Sequence, residues 1–163
     1  MSSYAWIVFC AAVFLGACGP QASTFSDDDR QAVDQAVRAA VSSLTQAMNE
    51  GGPDDVMAHY AQDDGFSFLG CTEYIMGGER FREVVGPYYQ RSERPALSQE
   101  VVSVQVLGPQ AAAVSLRGGS DSAPALFWTQ VWALRDGAWV IVLEHESWPD
   151  CAEPRAPHPM TGG

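Results

Sequence analysis

The two strand-like runs that end the chain restrict its fold more than any other feature. Residues 125–135 and 138–148 are rich in β-branched and aromatic side chains, and they flank Asp136-Gly137. An Asp-Gly pair between two such runs is the strongest short-range signal for a two-residue β-hairpin. Another pair of strand-like runs lies just upstream, at 101–107 and 111–116. The C-terminal part of the chain is therefore expected to form four long antiparallel strands.

Helical patterns and two short strand-like segments precede these runs. In chain order they are a helix from Ser26 to Glu50, a short helix beginning at Pro53, strands at 66–69 and 73–76, and a helix from Glu79 to about Arg91. In the first helix an apolar residue recurs every three or four positions, which gives it one apolar face. Helices followed by a run of antiparallel strands predict an α+β fold, with the helices covering one face of the sheet.

The first 17 residues form an uncharged, largely apolar segment that is typical of an export signal. Its apolar core is shorter than the ~20 residues that a membrane-spanning helix needs, and it ends in Leu15-Gly16-Ala17-Cys18. Small residues before a cysteine resemble the lipobox of bacterial lipoproteins. We therefore expect a signal peptide over residues 1–17, lipidation at Cys18 and a tether over residues 18–26. The alternative is an ordinary secretory signal with an incidental cysteine, because no Lys or Arg precedes the apolar core.

The expected location is the bacterial cell envelope, where the lipid-anchored domain would face the periplasm. Gly19, the residue after the cysteine, resembles the pattern of outer-membrane retention. The folded domain is expected over residues 27–150, followed by a mobile Pro-rich tail over residues 151–163. The formal net charge is −11, so the surface repels nucleic-acid phosphates and nucleic acid is not an expected partner. Contact with the membrane is expected through the lipid anchor only.

Three segments of the chain resemble the nuclear-transport-factor-2-like superfamily, in particular its SnoaL-like branch and related uncharacterised bacterial proteins. They are His59–Asp64, Gly78–Phe81 and the final hairpin with Trp132–Ile141 and His145–Ser147. The resemblance spans about residues 28–148. It implies a cone-shaped α+β fold in which N-terminal helices pack on a strongly curved antiparallel sheet around a conical pocket. The family includes ketosteroid isomerases, scytalone dehydratase, polyketide cyclases and non-catalytic binding domains, so the resemblance indicates the fold rather than one activity.

His145 is the candidate acid/base residue. By the two-residue period of a strand it shares a face with Ile141 and Leu143, and the resemblance places that end of the last strand near the pocket. A histidine among apolar neighbours can titrate near neutral pH, as a general base requires. The alternative is a structural histidine that hydrogen-bonds to a neighbour. Glu144 and Glu146 have the opposite parity and are expected to face solvent.

Aromatic and hydroxyl side chains are expected to line the pocket. The candidates are Tyr60, Tyr74, Tyr88, Trp128, Trp132 and Ser147. The alternative is that the tyrosines pack at a domain edge and the tryptophans fill the core or a dimer face. No metal and no cofactor is expected, because the acidic clusters lack the spacing of a calcium loop and the sequence has no phosphate-binding glycine loop.

Cys71 and Cys151 are the two cysteines that remain if the signal is cleaved and Cys18 is lipidated. In an oxidising periplasm a disulfide between them is expected, and the resemblance makes neighbours of the strands that they follow. Two separately buried thiols are the alternative.

Three functions are compatible with these features. The first is binding of a small apolar or amphipathic ligand in the conical pocket. The second is an isomerase, cyclase or dehydratase that uses His145 as its acid/base group. The third is an envelope interaction module that forms a homodimer.

Overall fold

The computed structural model describes residues 25–71, 73–120, 125–149 and 151. The expected signal peptide, Cys18, most of the tether and nearly all of the tail lie outside these residues. In chain order the elements are α1 (Asp27–Glu50), α2 (Pro53–Met57), β1 (Ser67–Leu69), β2 (Tyr74–Met76), α3 (Gly78–Tyr89), β3 (Ser98–Gly108), β4 (Ala111–Gly119), β5 (Leu126–Arg135) and β6 (Ala138–Ser147). Within the described ranges, no helix has both the length and the apolar character needed to cross a bilayer.

Helix α1 forms as the sequence predicts. The Ser26 hydroxyl accepts a hydrogen bond from the backbone N–H of Asp29 at 3.2 Å, and the Ser26 N–H donates to the Asp29 carboxylate at 2.9 Å. This reciprocal capping box satisfies backbone donors that a helix start otherwise leaves open. The apolar face packs on the sheet, and its buried residues are Val33, Val37, Val41, Leu44 and Met48.

The sheet contains six strands in the order β2-β1-β6-β5-β4-β3. All neighbouring pairs are antiparallel except β1 and β6, which are parallel. The sheet is therefore mixed rather than wholly antiparallel as expected, because the short β1 enters beside the last strand and runs in its direction. The sheet is curled and does not close, and the helices cover one face, which we call the inner face. The predicted α+β class, with helices packed on a curved sheet, is confirmed.

The hairpin between β5 and β6 turns at the predicted residues. Asp136 has φ 51° and Gly137 has φ 83°. Two consecutive positive φ values fit the turn that matches the right-handed twist of the flanking strands, and Asp-Gly adopts them at low cost.

A β-bulge in β6 decides which side chains of that strand face inward. Val131 pairs with Leu143, but Trp132 pairs with Ile141, so Val142 is one extra residue in β6. An extra residue reverses the alternation of side chains beyond it. The inward-facing positions of β6 are consequently odd-numbered before the bulge and even-numbered after it.

A disulfide joins Cys71 to Cys151, with the Cα atoms 5.2 Å apart. The first cysteine follows β1 and the second follows β6, and parallel neighbours end at the same edge of a sheet. This is the pair that the sequence led us to expect, and it ties the end of the last strand to the segment between β1 and β2.

Candidate functional site

Two acidic side chains lie inside the cone. Glu144 and Glu146 are each only 1% exposed, on the inner face of β6. The expectation that they face solvent is wrong, because the bulge at Val142 moves the even-numbered positions from the outer to the inner face. The Cα atoms of residues i and i+2 in a strand are ~7 Å apart and their side chains point to the same face. The two carboxyl groups are therefore neighbours on the inner face.

A chain of hydrogen bonds holds one oxygen of Glu144. The Tyr60 hydroxyl donates to Glu144 Oε2 at 3.2 Å, and Gln130 Nε2 donates to the same oxygen at 2.6 Å. The indole N–H of Trp132 donates to Gln130 Oε1 at 3.0 Å, which orients the Gln130 amide so that its NH₂ faces Glu144. Tyr60, Gln130 and Trp132 are all buried. Three residues from two parts of the chain therefore fix the position of this carboxyl group.

The other oxygen, Glu144 Oε1, is buried and has no hydrogen-bond partner among the described residues. A buried polar atom without a partner costs roughly 1–3 kcal/mol. A group that could relieve this cost must approach Oε1, since Oε2 already accepts two hydrogen bonds.

Burial raises the pKa of the Glu144 carboxyl to about 8, and the negative charge of the neighbouring Glu146 contributes to the rise. The hydrogen bonds from Gln130 and Tyr60 act in the opposite direction. Burial also raises the pKa of Tyr60 and of Tyr89 above the usual value for tyrosine. At neutral pH Glu144 is consequently protonated in most of the protein molecules. The proton belongs on Oε1, because Oε2 already accepts two hydrogen bonds. This carboxyl group can donate a hydrogen bond when protonated and accept one when ionised.

Aromatic rings surround the two carboxyl groups. On the inner face, Phe68 of β1 is the cross-strand neighbour of Glu144, and Trp128 of β5 is the neighbour of Glu146. The Phe81 ring centroid lies 4.9 Å from that of Tyr60 and 5.2 Å from that of Phe68. The site thus consists of two acidic side chains with aromatic side chains as their neighbours on the inner face.

His145 lies on the opposite, outer face and is exposed. Its cross-strand neighbours are Leu69 and Thr129, both of which are also exposed. The expectation that His145 shares a face with Ile141 is wrong, because the bulge separates them by one extra residue. His145 is therefore not the acid/base group of the interior. Ser147, on the same face as His145, also does not point into the cone.

The other predicted pocket residues divide between the two faces. Tyr60, Trp128 and Trp132 are buried in the hydrophobic core. That they line a pocket stays a prediction. Tyr88 is half-buried on α3, where its ring meets that of Tyr89 edge-on at 5.1 Å between centroids.

Tyr74 does not reach the interior, because it lies on the outer face of β2 and is 61% exposed. It belongs to an apolar area of the outer face together with Leu69, Met76 and Leu143. Homodimer formation remains a prediction.

Gln130, Glu144 and Glu146 are the site residues that the sequence analysis missed. Gln130 left a signal, because it stands between Trp128 and Trp132 in the alternation of β5 and shares their face. Across the described residues, no group of three or more His, Cys, Asp or Glu side chains could hold a metal ion.

Comparison with known proteins bears on the fold. The SnoaL-like domain family model matches residues 37–151. No match was found among curated proteins. An NTF-2 like protein of unknown function from Shewanella oneidensis is 20% identical with a TM-score of 0.65, and the alignment covers 71% of this chain and 98% of that one.

Two further solved structures are similar. A cystatin-like fold protein from Burkholderia xenovorans is 26% identical with a TM-score of 0.60, over 76% of this chain and 94% of that one. A protein from Novosphingobium aromaticivorans, described provisionally as a scytalone dehydratase, is 9% identical with a TM-score of 0.62, over 74% of this chain and 87% of that one. At 20% identity or less the likeness shows the fold alone. The family model covers most of the folded region, and the chain therefore belongs to the SnoaL-like domain family.

Proposed function

We propose that this domain binds a small, largely apolar ligand inside the cone and that Glu144 is the polar group that meets it. The observation that carries the proposal is Glu144 Oε1, a buried oxygen with no partner among the described residues. The aromatic side chains around it provide apolar contact area, and the carboxyl group provides orientation. Few convergent polar groups in an apolar surround are typical of small-molecule sites.

The network around Glu144 supports a binding role because it prepares one oxygen in advance. Tyr60 and Gln130 hold Oε2, so the direction of Oε1 is set before a ligand arrives. A ligand that satisfies Oε1 would recover the cost of the unpaired atom without reorganising its neighbours.

Nuclear magnetic resonance of the tryptophan indoles tests the proposal. The Trp132 N–H is joined to Glu144 through Gln130, so a ligand at Oε1 should shift the Trp132 indole resonance. The half-buried Trp139, near the turn of the hairpin, serves as the control resonance. Fragments from a small-molecule library that bind should shift the indole resonance of Trp132 but not that of Trp139. The Glu144→Gln variant should bind these fragments more weakly. If every binding fragment left the Trp132 resonance in place, the interior would not be the binding site.

Proton transfer is a second candidate function. It is favoured by the Tyr60 hydroxyl, which donates to a carboxyl group whose pKa burial raises to about 8. A general acid/base works best when its pKa lies near the working pH. A neighbouring hydroxyl, here that of Tyr60, can stabilise the charge that develops on a substrate oxygen. The provisional description of the Novosphingobium protein as a dehydratase is compatible with this chemistry.

Isomerisation of cyclohex-3-enone to its conjugated isomer, followed by ultraviolet absorbance, tests this second function. Glu144→Gln should lower the rate by ~10²–10⁴-fold if Glu144 moves the proton. His145→Ala should leave the rate unchanged, because that side chain is on the outer face. A rate that depends on His145 and not on Glu144 would contradict it.

We also propose that the domain is held at the cell envelope through a lipid on Cys18. Leu15-Gly16-Ala17-Cys18, with its preceding apolar run, supports this placement.

A further inference from the structure

We infer that Trp132 is a positioning residue of the interior site: its indole N–H fixes the Gln130 amide, and the fixed amide leaves Glu144 Oε1 as the oxygen that meets a ligand. This inference rests on the proposed function and deepens it, because it adds a residue that acts on Glu144 through a third side chain. It is based on the two hydrogen bonds that join Trp132 to Glu144 by way of Gln130.

The indole allows the Gln130 amide one orientation. An indole nitrogen donates a hydrogen bond and does not accept one, whereas a side-chain amide has an accepting end and a donating end. The amide atom that lies 3.0 Å from Trp132 Nε1 must therefore be the oxygen, Oε1. The NH₂ end then lies against Glu144 Oε2, at 2.6 Å. A half-turn of the amide would bring two donor groups face to face at the indole.

Burial makes this orientation costly to reverse. Trp132 and Gln130 are each 0% exposed, and Glu144 is 1% exposed. Bulk water is therefore not at hand to accept a hydrogen bond from a displaced N–H, and a buried donor without an acceptor keeps the full cost of its desolvation. The backbone adds to the constraint, because the register of the hairpin places Gln130 directly opposite Glu144.

The fixed amide decides how a protonated Glu144 is arranged. With the NH₂ end against Oε2, that oxygen is an acceptor and the proton is carried by Oε1. With the amide reversed, Glu144 could donate its proton from Oε2 to the Gln130 oxygen. The proton would then be bound within the network, and Oε1 would have none to offer a ligand. Trp132 excludes this second arrangement.

The same geometry gives the direction in which Trp132 acts on the acidity of Glu144. Burial raises the pKa of Glu144 to about 8, and the hydrogen bond from Gln130 opposes the rise because it favours the ionised form. Without the indole N–H, the amide could turn its oxygen toward the protonated carboxyl group, which would favour the protonated form instead. Loss of the indole N–H should therefore raise the pKa of Glu144 further.

Other titratable groups also act on Glu144. Among the described residues they are Glu146 on β6, Tyr60 after α2 and Tyr89 on α3. Burial raises the pKa of both tyrosines, so they stay neutral while Glu144 titrates. Nuclear magnetic resonance of isotopically labelled glutamate carboxyl carbons observes each glutamate separately, and Glu144→Gln assigns the Glu144 resonance by removing it.

A double-mutant cycle tests whether Trp132 acts through Gln130. The Glu144 carboxyl resonance would be titrated in the native protein, in Trp132→Phe, in Gln130→Met and in the variant with both replacements. Trp132→Phe should raise the midpoint by about 0.5–1 pH unit, the effect of one ordinary hydrogen bond on the balance between the two forms. In the Gln130→Met background the same replacement should leave the midpoint unchanged, because no amide remains to be oriented.

Trp128→Phe is the matched control. Trp128 lies on the same face of β5 as Gln130 and Trp132, two positions before Gln130, and is 4% exposed. Its replacement removes the same ring atoms from the core but leaves the N–H that holds Gln130 in place. The Glu144 midpoint should therefore stay close to its native value in this variant.

The unaltered protein provides a measurement that needs no replacement. Ionisation of Glu144 strengthens the hydrogen bond from Gln130, and linked hydrogen bonds polarise one another. The Trp132 indole resonance should therefore titrate with the same midpoint as the Glu144 carboxyl carbon. An indole resonance that stayed in place while Glu144 titrated would overturn the inference, even if Trp132→Phe did not fold.

The outcomes separate this inference from the proposed function. A Glu144 midpoint that Trp132→Phe left unchanged or lowered would overturn the positioning role, and so would an equal rise with and without the Gln130 amide. These results are obtained without a ligand, so they leave the fragment experiment to decide on binding. If no fragment shifted the Trp132 indole while the double-mutant cycle gave the expected coupling, the proposed binding would fail and the control of Glu144 by Trp132 would stand.

Discussion

Replacement of Glu144 by glutamine should stabilise the folded protein, and the gain should grow with pH. In the native protein the buried carboxyl group accepts a proton more readily than in the unfolded chain, because burial and Glu146 raise its pKa from 4.5 to about 8. The stability that this group contributes is therefore fully present below its unfolded pKa and is lost as the pH rises through the folded pKa. Glutamine has nearly the same shape as the protonated acid but does not ionise.

The size of the effect follows from the two pKa values. Between them, each pH unit lowers the free energy of unfolding by about 1.4 kcal/mol. From pH 5 to pH 8 the native protein should thus lose about 3–4 kcal/mol through Glu144, and the Glu144→Gln variant should not. Other titrating groups are common to both proteins, so they largely cancel in the difference.

Urea unfolding at four pH values between 5 and 8, followed by tryptophan fluorescence, measures this difference. Glu100→Gln is the control, because Glu100 is exposed and Arg117 lowers its pKa. Its contribution is already complete above its unfolded pKa, so the difference between that variant and the native protein should stay constant over the range. A constant difference for Glu144→Gln as well would show that Glu144 is ionised at little cost, which would refute its placement in the interior.

Three further predictions concern the backbone, the disulfide and the N-terminus. Gly118→Ala should lower the free energy of unfolding by ~1–3 kcal/mol, since its Cβ would collide with the Ser98 carbonyl oxygen, whereas Gly108→Ala, with nothing within 4 Å, should cost far less. Equal costs in urea titrations would contradict this reasoning. Replacement of both Cys71 and Cys151 by serine should cost ~2–4 kcal/mol, because their bond closes a loop with a sequence separation of 80, and an unchanged Tm would argue against it. Cys18→Ala should abolish acyl labelling and release the protein from membranes, and unchanged membrane partition would disprove the lipid anchor.

Local signals in the sequence account for the elements that were predicted well. Helix α1 is marked by its capping residue and by an apolar residue at every third or fourth position of its 24 residues. The cap and the spacing each involve residues no more than one or two turns apart. The hairpin turn is marked by two residues, Asp136 and Gly137, whose φ values suit the turn by themselves. Neither signal depends on what the rest of the chain does.

The parallel pairing of β1 with β6 had no such local signal. The three residues of β1 pair with Leu143, Glu144 and His145, each 76 positions later in the chain. A strand of three residues is too short to show which neighbour it prefers, so only the folded sheet decides it.

The interior acids were missed because one bulge reverses the alternation of β6. Ile141, Val142 and Leu143 are three apolar residues in succession, and nothing in their side chains marks Val142 as the extra one. Beyond Val142, the two-residue period therefore puts Glu144 and Glu146 on the inner face and His145 on the outer face.

Strand β5, in contrast, keeps its alternation, and its sequence holds the information that β6 conceals. Trp128, Gln130 and Trp132 occupy one face, so a buried amide between two indoles is required by the period alone. A buried amide needs hydrogen-bond partners, and the cross-strand position is where a polar side chain can supply one. The paired strand must then place a polar residue opposite Gln130, and the register gives Glu144. The position of the site therefore follows from the alternation of β5 together with the register of the folded hairpin, in which the bulge at Val142 puts Glu144 rather than Leu143 opposite Gln130.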